Sequence, residues 1–173
     1  MEEYTGVKFE TVIEEGKLGD VSEFLELDKL LGKYLNPGKN EGNMSLRIGA
    51  GFLIKKAGSR MTSLAENDVV YVRKVENGTV YAVGGTPSSE SIMHYEIYEK
   101  RKDAEIILHF HDNSLLEKAE WKTVGPFAYG SIELAKAVGA ASEITDKIKI
   151  EMHGFVIIAK SRDRLVKILD AIF

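Results

Sequence analysis

The sequence predicts an α/β fold in which helices cover a mostly antiparallel β-sheet. Three observations carry the prediction. Hairpin signals dominate the first half, centred on an Asn77-Gly78 turn between two strand-like runs. Segments of helical periodicity separate the later strands. Hydrophobic residues make up 44% of the 173-residue chain, enough for a core in one domain spanning 1–173.

Each element follows in order. Val21 to Leu31 places apolar residues at helical spacing, and Asn36-Pro37-Gly38 stops the helix. Gly42-Asn43-Met44-Ser45-Leu46-Arg47-Ile48 is a turn entering a strand. Phe52 to Lys55 is a second strand, ending near Ala57-Gly58-Ser59. Asp68 to Lys74 and Thr79 to Val83 are the hairpin partners about the Asn-Gly turn. After Gly84-Gly85-Thr86-Pro87, Ser88 or Ser89 can cap a helix through Met93, Ile97 and Tyr98, ended by Asp103. Ala104 to His111 is the next strand. A helix from about Ser131 sets Ile132, Leu134, Ala135 and Val138 on one side. Lys147 to Met152 alternates like a half-buried strand, and His153-Gly154 makes a corner. Phe155 to Ala159 is an apolar strand, and Asp163 to Phe173 an amphipathic helix. No repeat, low-complexity tract or linker interrupts the chain.

Composition excludes some partners. A net charge of -4, from 23 basic and 27 acidic residues, gives no electrostatic argument for nucleic acid or an anionic membrane. With no cysteine there is neither a disulfide framework nor a thiolate metal site. That usage suits a reducing cytoplasm. The start, Met1-Glu2-Glu3-Tyr4, lacks the basic residues and apolar stretch of a signal peptide, and no apolar run reaches membrane-spanning length. A soluble, cytoplasmic protein is expected.

The chemistry-bearing residues fall in three groups. His109 and His111 flank Phe110, so on a strand both imidazoles point to one face. His153, before a glycine at a strand junction, offers a third imidazole. Three neutral imidazoles with one open position form a catalytic zinc arrangement, whereas scattered histidines would only hydrogen-bond their neighbours. Pro87-Ser88-Ser89-Glu90 opens a helix, where backbone N–H groups and two hydroxyls suit a phosphate, and Glu90 offers a base or a metal ligand. The plainer alternative is a helix start with a favourable acid in its first turn. Gly42-Asn43-Met44-Ser45 and Ala57-Gly58-Ser59-Arg60 are small-residue turns that let backbone approach an anion, with Lys55, Lys56 and Arg60 to supply charge. Ordinary β-turns would look the same. His94 lies four residues after Glu90, as a metal partner on the same helix face or as a helix-surface or supporting residue.

In this order the motifs resemble the class II aldolase/adducin-head family, from about Gly42 to the C-terminal helix. Glu90 precedes His109 by nineteen positions, a spacing like that of the family's fuculose-phosphate aldolases. The resemblance implies a three-layer fold, with a central antiparallel sheet between helices. It implies that His109, His111 and His153 bind Zn²⁺ or another divalent metal, and that Glu90 is the catalytic acid/base. Asn43, Gly58, Ser88 and Ser89 would hold a substrate phosphate. The implied activity is retro-aldol cleavage of a fuculose-1-phosphate-like ketose through a zinc-stabilised enediolate, in a homotetramer. A sugar-phosphate epimerase or dehydratase using the same site, or a non-catalytic adducin-like scaffold, are the alternatives. Three departures point to different substrate recognition. Ala57 stands where relatives carry a hydroxyl, the link from His111 to His153 is short, and the chain reaches Phe173 without a tail bearing a tyrosine acid.

Overall fold

The strand β9 (Gly154–Ala159) explains the architecture in miniature. All six of its residues are buried. Phe155, Ile157 and Ala159 join one apolar cluster, with Phe24, Leu27, Leu31, Leu165 and Leu169. Val156 and Ile158 join another, with Met93, Ile97, Leu134 and Val138. A strand covered on both faces reads as an unbroken apolar run because neither set of alternating side chains meets water.

The computed structural model describes residues 3–173, so Met1 and Glu2 of the acidic start lie outside the described residues. The elements are β1 (Glu10–Ile13), α1 (Ser22–Leu31), β2 (Asn43–Ile48), β3 (Gly51–Lys55), β4 (Val69–Glu76) and β5 (Thr79–Val83). Then come α2 (Ser91–Lys100), β6 (Ile106–Phe110), α3 (Asn113–Lys118), β7 (Lys122–Val124), α4 (Ile132–Ser142), β8 (Lys147–Ile150), β9 and α5 (Arg162–Ile172). The nine strands form one sheet in the order β1-β5-β4-β3-β2-β6-β9-β8-β7. Helices α1 and α5 bury their apolar faces against one side, α2 and α4 against the other.

The sheet is mixed, which corrects the expected mostly antiparallel arrangement. Its interior pairs are antiparallel, but β1 pairs parallel with β5, and β7 parallel with β8. The parallel β7–β8 pair arises because α4 serves as the crossover between them. Both edge strands, like α3, are too short to show a period in the sequence.

Helix ends also shift. Helix α1 stops at Leu31, and Leu35 donates its N–H to the Leu31 carbonyl before Asn36-Pro37 is reached. Neither Ser88 nor Ser89 caps α2; Glu90 takes that position, and Ser91 Oγ donates to the Ser88 carbonyl at 2.6 Å. Ser131 does cap α4, accepting from the Leu134 N–H. Ile132 does not join the face formed by Leu134, Ala135 and Val138; it is 46% exposed at the helix's first position, ahead of the buried stripe. Among the described residues, no helix is long and apolar enough to cross a membrane.

Candidate metal centre

Strand pairing delivers the first histidine. His109 on β6 lies between Asn43 of β2 and Val156 of β9. Its backbone is therefore held on both sides. His111 follows one residue beyond the strand's end. His153 arrives from the turn joining β8 to β9, where its N–H bonds to the Ile150 carbonyl at 3.1 Å. Gly154 permits that approach. A Cβ there would collide with the Phe110 carbonyl oxygen and stand 2.8 Å from the His111 ring. Gly42 is required for two reasons. Its φ is 69°, and a Cβ would meet the His109 carbonyl oxygen at 2.8 Å.

The sequence left His153 apart from the other two, and the fold brings all three together. Each offers a nitrogen, and these nitrogens lie within 4.8 Å of one another. His109 Nδ1 donates to the Phe155 carbonyl at 3.0 Å, which leaves the Nε2 lone pair for the cavity. His111 Nε2 lies 3.1 Å from that Nε2. Burial, and secondarily the neighbouring His153 and His111, hold His109 well below the usual imidazole pKa. Burial lowers His111 as well, partly opposed by Glu41. Both rings are thus neutral ligands near neutral pH.

The residues fit a divalent metal. Two nitrogens bound to tetrahedral zinc at about 2.1 Å stand about 3.4 Å apart, close to the His109–His111 separation. His111 Nδ1 is buried with no hydrogen-bond partner among the described residues. Three imidazoles without thiolate suit zinc and several other divalent ions.

Glu90 is 5% exposed, and its Oε1 lies 3.8 Å from His153 Nε2. It faces a cavity of about 770 Å³ shared with the three histidines, Asn43 and Ser89. Ser88 sits behind this wall, where its Oγ accepts from Asn43 Nδ2 at 3.1 Å. Gly58, with φ 82°, is in a turn fastened alongside Thr86 to Ser88 by the Ala57 N–H to Thr86 carbonyl bond. It is not itself a cavity wall.

The cations expected to supply charge are engaged elsewhere. Lys55 donates to the Ser59 carbonyl at 2.6 Å and Lys56 to the Asn67 carbonyl. Arg60 reaches the Pro37 carbonyl and Asn36 Oδ1. Lys39, beside the Gly42 turn, lines the cavity instead. His94 does not pair with Glu90 on a metal, because its two nitrogens are taken by Ser45 and Asn43.

The outer cavity wall holds residues to which the sequence gave no role: Tyr4, Phe127 and Tyr129. Tyr129 secures the N-terminal segment by accepting from the Thr5 N–H at 2.7 Å and donating to the Gly6 carbonyl at 3.0 Å. Tyr4 packs against it at a tilt, ring centres 5.6 Å apart, and its hydroxyl faces Ser89. The Phe127-Ala128-Tyr129 stretch carried a weak signal as aromatics in a loop, whereas Tyr4 carried none.

Comparison with known proteins gives this geometry a setting. A family model described as class II aldolase and adducin N-terminal domain matches residues 23–116. An L-fuculose phosphate aldolase of Methanococcus maripaludis strain C7 is 31% identical over 159 residues, covering 82% of this chain and 85% of that protein. The fluorothreonine transaldolase of Streptantibioticus cattleyicolor is 29% identical over 148 residues, covering 83% of this chain, which spans only 23% of that protein's length. Among solved structures, an L-fuculose 1-phosphate aldolase superposes with a TM-score of 0.73 at 23% identity, covering 87% of this chain and 80% of that one. The last likeness bears on the fold alone.

Proposed function

Since the chain belongs to the class II aldolase and adducin N-terminal domain family, we propose that it is a metal-dependent aldehyde-lyase cleaving a phosphorylated ketose. The substrate class is that of its fuculose-phosphate relatives. One observation carries the reading. Three histidines, a buried carboxylate and the Asn43 side chain face a single cavity.

His109, His111 and His153 would hold the metal, zinc being the first choice for three imidazoles. When bound, it supplies Lewis-acid stabilisation of negative charge on the substrate's carbonyl and hydroxyl oxygens. Asn43 and Ser89, which line the cavity, would grip the phosphate and fix its distance from the histidines, with Ser88 supporting Asn43 from behind and Gly58 shaping the turn alongside. The cleavage breaks one carbon–carbon bond and leaves the electron pair on the ketose fragment, while the hydroxyl on the departing carbon gives its proton to a base, for which Glu90 is the candidate, and becomes the carbonyl of the released aldehyde. Glu90 delivers a proton to the carbon that keeps that pair, from a carboxyl buried beside His153.

The reading includes a cytoplasmic homotetramer. Phe127 and Met152, 40% and 69% exposed on the cavity's rim, offer apolar surface to such an assembly, and light scattering of the purified protein tests it.

The decisive experiment pairs metal analysis of the purified protein with a coupled retro-aldol assay over several ketose phosphates. One divalent ion per chain and release of a three-carbon phosphate support the reading. Isomerised or dehydrated product without a three-carbon fragment points to epimerase or dehydratase chemistry. Absence of any divalent metal overturns the whole scheme.

A further inference from the structure

One histidine remains outside the metal group, and it is the most enclosed of all. His94 is fully buried on α2 and stacks against Phe52 with centres 6.3 Å apart. A chain of hydrogen bonds passes through it. Tyr98 OH lies 2.9 Å from Ser45 Oγ, and Ser45 Oγ lies 2.6 Å from His94 Nδ1. His94 Nε2 lies 2.5 Å from Asn43 Oδ1, and Asn43 Nδ2 donates to Ser88 Oγ. The chain begins behind the sheet and ends at the cavity wall.

The direction of this chain follows from its Asn43 end. Asn43 Nδ2 donates to Ser88 Oγ, so Oδ1 faces His94 and accepts from Nε2–H. A neutral imidazole that donates at Nε2 accepts at Nδ1, and Ser45 Oγ supplies that proton. Tyr98 OH, which donates to the Glu105 carbonyl at 3.3 Å, lies 2.9 Å from Ser45 Oγ and closes the chain. Asn43 thus presents its oxygen to His94 and its amide N–H groups to Ser88 and the cavity. Ser88, accepting from Asn43, holds that amide in place from behind the cavity wall. The opposite direction would turn a carbonyl oxygen towards the anion and repel it.

We propose that His94 is a positioning residue. Held as the Nε2–H tautomer, it fixes Asn43 with its N–H groups facing the cavity, and so sets the site's preference for a phosphate. The proposal rests on reading Asn43, backed by Ser88, as part of the phosphate grip. Burial also pushes the His94 pKa down to about 3, so the ring stays neutral throughout the physiological range.

The test uses the metal-loaded protein and inorganic phosphate at neutral pH. Nitrogen-15 NMR of the His94 ring is expected to show a protonated Nε2 and a bare Nδ1. His94→Phe is expected to weaken phosphate binding and raise the KM for a ketose phosphate by roughly ten- to a hundred-fold. Its metal affinity should remain within about two-fold, because the Phe155 carbonyl and not His94 orients His109. His94→Gln, which can still donate to Asn43, should recover most of the loss. A protonated Nδ1, or a phosphate affinity indifferent to His94→Phe, overturns the proposal. Should His94→Phe fail to fold, the wild-type NMR pattern decides alone. If phosphate binding depends on His94 but no ketose phosphate is cleaved, this proposal stands and the lyase reading falls. If a ketose phosphate is cleaved but phosphate affinity is indifferent to His94, the lyase reading stands and this proposal falls.

Discussion

The inner and outer ends of the cavity are built by different means. At the inner end, His109 sits in mid-sheet with a strand on each side, and Gly154 brings His153 against His111. At the outer end, the walls come from the loops carrying Lys39, Phe127 and Tyr129 and from Tyr4 of the N-terminal segment. Phe127 and Tyr4 are 40% and 37% exposed. The difference follows from what each end must do. Metal donors must hold their spacing to a few tenths of an ångström, which strand pairing ensures, whereas substrate recognition varies through loops.

Removing one donor is the largest break that can be made at the inner end. His109→Ala is expected to lower metal affinity by well over the 10–100-fold that loss of an outer-shell partner costs, measured by competition with a chelator. Cleavage should fall in step with metal content. A variant that still holds one metal per chain would remove His109 from the ligand set. Glu90→Gln comes next. It should reduce kcat by about 10²–10⁴-fold, the span of a lost acid/base, with metal content unchanged. Loss of metal in that variant would instead make Glu90 a ligand.

How much could be read from the sequence divides along the same line. The histidine triplet was legible because period two is a local property of strands, and Glu90 because it opens a helix. Joining His153 to that triplet depended on the β6–β9 pairing and on Gly154, contacts between residues more than forty positions apart, which no local pattern encodes. The central strands and all four longer helices were likewise legible, each having a period to show. Edge strands β1 and β7 were not, since four and three residues give almost no period. Ile132 was misplaced because helical spacing alone does not show where contact with the sheet begins. His94 shows another limit. A histidine four residues after a glutamate left a ligand pair and a helix-surface or supporting role both open, and the burial that commits it to Ser45 and Asn43 exists only in the fold.

That burial makes the region beneath Asn43 sensitive to acid. His94 has a folded pKa of about 3 against an ordinary 6.5, with burial as the cause. Between these values the unfolded chain binds the extra proton, so stability falls as pH drops below about 6.5 and is fully present above it. From pH 7 to pH 5 this group alone should remove about 2 kcal/mol. Urea unfolding in the presence of chelator measures the slope. In His94→Gln the slope should be shallower by that amount, leaving the part due to His109 and His111. Equal slopes in the two proteins would mean that water reaches the ring and that this region is not dry.

The smallest effect is expected at the outer end, and it tests whether the N-terminal segment belongs to the site. Tyr4→Phe keeps the ring packed against Tyr129 and removes only the hydroxyl that faces Ser89. Losing one neutral hydrogen bond near the phosphate grip should raise KM by roughly two- to ten-fold. Metal affinity and thermal stability should not change, because no histidine or core residue depends on that hydroxyl. An unchanged KM would make Tyr4 a bystander on the rim. A fall in kcat at constant KM would carry it across the division between the two ends, from a wall that shapes the substrate to a group that takes part in the proton transfer, and the N-terminal segment would then belong to the reacting end of the cavity.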